Sequence, residues 1–352
     1  MPTNDRHLSL QLMLHSIAKV AVSLNVDGVT NNLVERLYTN KRKVSPHLSR
    51  RFQILGYHKV SPDEHPFFEP LPPDIFEKQM QFLKSCYRVM SLQELVDRSA
   101  RGEVPERAVA ITFDDGYRDN YDYAFPILRK YKFPATIFLA TGAIGSGKLI
   151  WHDRIFDAFR FATVDRARVE DAAVPELKLQ TAEARQRSLE STLVRAKTLY
   201  GDQRRRFIDD IESKLRPVLP EDADQRMLNW DQVREMHRAG IEFGSHTVSH
   251  TILSQIPRSE MSKELRGSKE ELSDQLGAPI SSFAYPNGKA TDYNSEAKAV
   301  IRECGYSCAV TCCSGFNHAF SDVFELKRGL PWQREIEVFR LKFFLQRHGL
   351  AS

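Results

Sequence analysis

No one sign of charge dominates this chain. Fifty lysines and arginines face 46 acidic residues, a formal net charge of +4 over 352 residues. A nucleic-acid binder concentrates basic residues into a patch or stripe, whereas a dispersed balance of this size only keeps a protein in solution. No nucleic-acid partner is therefore expected. Cysteines are few: Cys86, Cys304, Cys308, Cys312 and Cys313. Five is an odd number and no Cys-x-x-Cys pair occurs, so no disulfide framework is indicated. Cys308 and Cys312 flank a strand-like run, Ala309-Val310-Thr311, where buried thiols are expected in preference to a soft-metal site. Free thiols suit a reducing compartment. The chain also lacks a long uninterrupted apolar run. Leu8 to Val26 is apolar in places, but His15 and Lys19 break it. It reads as an amphipathic helix docked on the protein or resting on a membrane surface, not as a span. No basic lead, apolar block and small-residue cleavage site stand in order. The expectation is a cytoplasmic protein, at most peripheral to the membrane, with residues 1–50 forming a helical extension that ends in a linker around Lys41-Arg42-Lys43.

What is present is alternation. Short apolar runs at Phe52–Tyr57, Tyr87–Met90, Val109–Phe113, Ala135–Ala140, Ile241–Gly244, Ile280–Ala284, Cys308–Thr311 and Phe324–Leu326 read as strands. Segments with helical periodicity fall between them at Pro73–Lys84, Leu92–Ser99, Tyr123–Tyr131, Asp231–Ala239 and Ser259–Leu276. Strand and helix in repetition predict an α/β fold with parallel strands. Residues 51–345 are assigned to this domain. From about 154 to 227 the pattern breaks: Arg, Glu, Ala, Gln and Leu dominate, as in Ala182–Leu199 and Gln203–Leu215. This predicts a helical insertion, either a lid or substrate wall or a stabilising addition.

Chemistry enters at Thr112-Phe113-Asp114-Asp115-Gly116. The apolar run Val109-Ala110-Ile111 ends there at a glycine, so both aspartates stand at the C-terminal end of a strand, where α/β folds gather their reactive groups. Adjacent carboxylates repel, and burying them unpartnered is costly. A metal ion resolves the conflict if one Asp binds it and the other stays free as a base. The remaining ligands are offered by His246-Thr247-Val248-Ser249-His250, which follows the strand-like Ile241–Gly244. Histidines four apart share one face of a helical turn, so both imidazoles can reach one ion. Two His and one Asp leave open positions, as a catalytic site requires.

Thr-Phe-Asp-Asp-Gly followed by His-Thr-x-x-His resembles the first two motifs of the NodB-homology polysaccharide deacetylases, with the likeness running from about Phe52 to the Leu330 region. The resemblance implies a distorted, incomplete (β/α) barrel carrying the helical insertion. It implies Asp114 as general base and Asp115, His246 and His250 as ligands of a divalent ion, Zn2+ first, with Co2+, Ni2+ or Mn2+ as alternatives. A third motif matches in part at Phe283-Ala284-Tyr285-Pro286-Asn287-Gly288. Many members have Arg-x-Pro-Tyr there; here Ala284 replaces the Arg and Asn287 the Tyr. Tyr285, Pro286 and Asn287 are thereby assigned to the substrate and oxyanion region. A backbone N–H after Pro286 remains as a donor to the oxyanion. No late Leu-x-His motif is evident. Some branches look circularly permuted, with a Tyr-His pair ahead of the Asp-Asp-Gly strand, so His58 is nominated as general acid. Arg328 is the candidate replacement for the missing arginine, or else a solvated surface side chain. Trp151, which opens the insertion, and Trp332 are candidates for stacking on a sugar or for core packing.

Together these assignments predict removal of an N-acetyl group from an amino sugar in a polysaccharide, oligosaccharide or lipid-linked glycan. Other deacylations (of an O-acetyl ester, an N-formyl sugar or a cyclic amide) keep the same site. A silent carbohydrate-binding protein is the alternative from another class. Two His and one carboxylate also serve non-haem iron oxygenases, but the spare Asp and the α/β pattern argue against that.

Overall fold

The structure, a computed structural model, describes residues 51–174 and 176–347; the extension expected over residues 1–50 lies outside them. Its centre is a parallel sheet. The strands are β1 (Gln53–Tyr57), β2 (Arg88–Met90), β3 (Ala108–Phe113), β4 (Thr136–Leu139), β7 (Glu242–Ser245), β8 (Ser282–Ala284) and β9 (Cys308–Val310). They run in the order β1-β3-β4-β7-β8-β9, with β2 beside the first half of β3. Every residue of β1 and β3 is buried, because a parallel sheet is covered on both faces and its strands read as continuous apolar runs. Register sets Tyr57 level with Phe113, and Leu139 level with Ser245. The residues that follow these strands therefore emerge together at one end.

Helices α1 (Pro73–Cys86), α2 (Leu92–Ala100), α3 (Phe125–Tyr131), α7 (Trp230–Arg238), α8 (Arg258–Leu276) and α9 (Ser295–Glu303) connect the strands. Their starts are written locally. Pro73 opens α1, where its missing N–H costs nothing. Asn229 and Gln232 form a reciprocal capping box at α7, satisfying two otherwise orphaned donors.

The barrel closes only weakly. Leu326 bridges Val310 and Gly329 bridges Leu55 in parallel sense, so a short stretch of irregular chain stands where a closing strand would be. The strand expected at Phe324–Leu326 is thus reduced to a single bridge, the segment being too bent to sustain a ladder. C-terminal helix α10 (Ile336–Arg347) packs on α1.

Between β4 and β7 lie α4 (Trp151–Arg160), α5 (Ala182–Lys197) and α6 (Gly201–Leu215), together with an antiparallel pair, β5 (Arg166–Arg168) and β6 (Glu176–Lys178). The expectation of helices alone is corrected here: Arg-Ala-Arg and Glu-Leu-Lys are poor strand formers, and pairing with each other makes them strands. Ile155, Phe159, Leu189, Phe207 and Ile211 join one apolar core with Ile111 and Phe113 of the sheet. Among the described residues, no helix is long and apolar enough to cross a membrane.

Candidate active site

Four chain segments meet at the C-terminal end of the sheet. Asp114 and Asp115 follow β3, His246 and His250 follow β7, His58 follows β1, and Arg328 comes from the closing stretch. Asp115 (φ 77°) and Gly116 (φ 87°) turn the chain sharply after the strand. Aspartate tolerates this conformation. Gly116 is needed for a second reason: a Cβ there would lie 2.7 Å from Leu139 Cδ2 and 2.9 Å from Ile144 Cδ1.

The histidine motif departs from expectation in shape. Residues 246–250 form an irregular loop, not a helical turn, with Thr247 (φ 65°) and His250 (φ 51°) both left-handed. The imidazoles nevertheless converge, their ring centroids 4.8 Å apart. His246 Nε2 lies 3.6 Å and His250 Nε2 3.2 Å from Asp115 Oδ1. One ligand atom from each of the three side chains lies within 4.8 Å of the others. His246 Nδ1 lies 2.7 Å from the Ala284 carbonyl. A carbonyl only accepts, so the proton sits on Nδ1 and the Nε2 lone pair is directed into the cluster. Asp115 Oδ1 is buried without a hydrogen-bond partner, an expensive state for a carboxylate that a cation would relieve. Burial holds both imidazoles below the ordinary histidine range, although Asp115 pulls them upward. They are neutral at pH 7, as ligands must be. Burial alone would raise Asp115, but the facing His250 overrides it and keeps the carboxyl well below the usual range. The donor set fits a small divalent ion with open positions.

Asp114 is held differently. Arg328 donates to it through two parallel bonds, Nη1 to Oδ1 at 2.8 Å and Nη2 to Oδ2 at 2.6 Å. The guanidinium also donates to the Thr311 carbonyl at 2.7 Å and to Thr112 Oγ1 at 3.1 Å. Arg328 is fully buried, which overturns the alternative of a solvated surface arginine. Gly56 leaves it room, since a Cβ there would sit 3.2 Å from its Nε. Burial would raise the Asp114 carboxyl; Arg328 outweighs it and holds the group ionised. His58 Nε2 stands 3.8 Å from Asp114 Oδ2, its Nδ1 buried and unpartnered. Its ring lies against Trp332 and Phe68, with centroids at 5.5 and 5.8 Å.

Two nominated side chains do something else. Trp151 is buried and its indole N–H donates to the His250 carbonyl at 2.9 Å, so it braces the loop of residues 246–250 from behind and has no open face for a sugar. Tyr285 is also buried; its hydroxyl donates to the Phe324 carbonyl at 2.9 Å and its ring stacks on Tyr293. Both aromatics were absorbed by the core, the commoner fate of large apolar rings. Asn287, left-handed at φ 64° after the buried Pro286, keeps a backbone N–H that gives no hydrogen bond among the described residues.

Three residues beside the cluster, His152, Tyr117 and Lys59, were missed in the sequence, while Asp153 was readable there only as a side chain able to orient a histidine. The His152 ring lies 4.8 Å from that of His250, and its Nε2 is 3.1 Å from the Tyr117 hydroxyl. Asp153 approaches His152 at 3.8 Å and pairs with Lys59 at 3.0 Å. Lys59 Nζ lies 4.1 Å above the Tyr117 ring. Burial lowers His152 to about 4 despite Asp153. The available signal was adjacency: Lys59 follows His58, and Tyr117 follows Asp-Asp-Gly.

Known proteins with similar sequences and folds carry related names. The family model for polysaccharide deacetylase matches residues 101–309. Over 72 residues the chain is 44% identical to a poly-beta-1,6-N-acetyl-D-glucosamine N-deacetylase of Staphylococcus epidermidis, a match covering 20% of this chain and 25% of that protein. Over 263 residues it is 24% identical to YxkH of Bacillus subtilis, covering 74% and 64% respectively. The chain thus spans less than two thirds of either relative's length. Among solved structures, the Streptococcus pyogenes deacetylase PplD in complex with acetate superposes with a TM-score of 0.55 at 23% identity, over 83% of this chain and 96% of that one. IcaB from Ammonifex degensii gives 0.52 at 21% identity, over 80% and 91%. At such identities these structures establish the distorted (β/α) barrel as a shared fold.

Proposed function

The chain belongs to the polysaccharide deacetylase family, and from that premise we propose that it hydrolyses the N-acetyl group of an amino sugar in a glycan, polymeric or lipid-linked, on the cytoplasmic side. The observation that carries this is the meeting of three neutral or anionic ligand atoms within 4.8 Å beside a second carboxylate locked by arginine. Asp115, His246 and His250 would hold the divalent ion, Zn2+ first. When bound, that ion polarises the acetyl carbonyl and eases ionisation of water.

The remaining work belongs to the chain. Asp114 accepts the proton of the attacking water; its pairing with Arg328 keeps it ionised and aims it. The Asn287 N–H is free to meet the oxygen that gains charge as water adds to the carbonyl carbon. His58 delivers a proton to nitrogen as the C–N bond breaks, so a neutral amine and acetic acid leave, the acid then losing its proton to solvent as acetate. In support, the sequence likeness to the staphylococcal enzyme suggests an N-acetylglucosamine polymer as the first substrate to try.

Acetate and amine release from beta-1,6-linked N-acetylglucosamine oligomers tests the reading. Activity should vanish with chelator and return with Zn2+ or Co2+. Release of alcohol in place of amine would make the protein an esterase. Metal-loaded protein that liberates neither from any acetylated glycan would refute the proposal.

A further inference from the structure

The loop that carries both histidines has an unusual backbone. Thr247 (φ 65°) and His250 (φ 51°) are left-handed, a conformation that residues with a Cβ enter at a cost, β-branched threonine above all. Such backbone persists only where the surroundings over-determine it. Three stretches fix its carbonyl side. The Thr247 and Val248 carbonyls accept from the N–H groups of Thr141 and Gly142 at 3.2 and 2.9 Å. Those of Ser249 and His250 accept from Arg204 and Trp151.

The two N–H groups just ahead of His250 turn to a single residue. Val248 and Ser249 donate in succession to one oxygen of Glu264, Oε2, at 2.9 and 2.8 Å. Ser249 Oγ donates to the other, Oε1, at 2.6 Å. Successive N–H groups form a cradle for an anion, and here a carboxylate of α8 fills it with charge-assisted bonds. One turn further along the same helix, Ser268 Oγ lies 2.8 Å from Ser245 Oγ. Helix α8 therefore meets the chain immediately ahead of each histidine.

We propose that Glu264 is a positioning residue of the metal centre. Through its bonds to Val248 and Ser249 it sets the backbone that brings His250 Nε2 to 3.2 Å from Asp115 Oδ1, so the ligand geometry exists before an ion arrives. The inference rests on the ligand assignment in the deacetylase reading and adds to it a residue that acts through the loop alone.

Zn2+ affinity of the full chain, measured by competition with a chelating dye, should fall ~10–100-fold in Glu264→Ala, the usual range for loss of a group that orients a ligand. Glu264→Gln, which keeps an oxygen for both N–H groups, should recover most of that loss. Glu264→Asp, one methylene shorter, should recover little, and it carries the test should the alanine variant fail to fold. Glu260→Ala, on the same helix, removes a carboxylate that pairs with Lys263 and should bind Zn2+ as tightly as the unmodified chain. Metal-free protein supplies a second readout. Amide exchange at Val248 and Ser249 should quicken in Glu264→Ala while the amides of β7 keep their protection. Unchanged Zn2+ affinity in the alanine and aspartate variants, an equal loss in Glu260→Ala, or unchanged exchange at the two amides overturns the proposal. Glu264-dependent Zn2+ binding with no acetate released from any glycan would sink the deacetylase reading and retain the positioning role. Acetate release with Zn2+ affinity indifferent to Glu264 would do the opposite.

Discussion

At the mouth of the sheet, charge is buried: Arg328 pairs with Asp114, and two neutral imidazoles face the Asp115 carboxylate. In the helical insertion the charges lie mainly outside. Arg205 pairs with Asp202 and Lys214 with Asp210 along exposed helix faces, while Phe207, Ile208 and Ile211 fill the interior. Exposed pairs of this kind contribute little, so apolar burial holds the insertion in place. The buried pairs are a different case, since loss of one partner strands the other. The two regions join at Arg204, which is 4% exposed although it belongs to the insertion. Its guanidinium lies 5.1 Å from the Trp151 ring centroid and donates to Thr251 Oγ1 and, at 3.5 Å, to the Ser249 carbonyl. The insertion therefore grips the loop that carries His250. It acts as a brace.

The sharpest way to break this contrast is at the ligands. Asp115→Ala, His246→Ala and His250→Ala should each lose stoichiometric metal by elemental analysis, and full occupancy in all three would dissolve the centre. Next comes Arg328→Ala. With Asp114 left buried and uncompensated, stability should fall by about 3–5 kcal/mol in chemical denaturation, and turnover by ~10²–10⁴-fold as the base loses its ionisation and aim. A marginal change in both would mean that the pair is ornamental.

A smaller effect tests the brace. Arg204→Ala should weaken metal binding by ~10–100-fold, the usual consequence of losing a group that orients a ligand, and Arg204→Lys should recover part of it. Unchanged affinity in the alanine variant would leave the insertion a mere scaffold. The smallest effect concerns Asp119. Burial pushes its carboxyl up to about 7. The folded protein then keeps a proton that the unfolded chain releases near pH 4, so stability falls as pH rises from about 4 to about 7. Asp119→Asn, which keeps the oxygen that accepts from Val60 N and Asn120 Nδ2, should raise Tm by about 2–4 °C at pH 8 and leave it unchanged near pH 4. The gain is modest because the side chain is only half-buried. An equal gain at both pH values would assign it to something other than ionisation.

Legibility followed the range of the interactions. Strands β1, β3 and β4 stood out because parallel strands covered on both faces leave largely apolar runs. The Asp-Asp-Gly and His-x-x-x-His stretches stood out because each packs its chemistry into five residues. The hairpin β5–β6 did not, because Arg166–Arg168 is a strand only through Glu176–Lys178. Nor was the irregular backbone of residues 246–250 visible, since spacing constrains which residues can meet and says nothing of the φ angles that bring them together.

Local sequence by itself determined the alternation of strand and helix, the helix starts at Pro73 and Asn229, and which short motifs could carry ligands, because each depends on neighbours a few residues apart. Only the tertiary structure decided that Arg328 locks Asp114 across 214 residues, that Trp151 and Tyr285 serve the core, and that His152, Lys59 and Arg204 reach the site. Those outcomes depend on which strand ends lie side by side and on what burial does to a charge once they do.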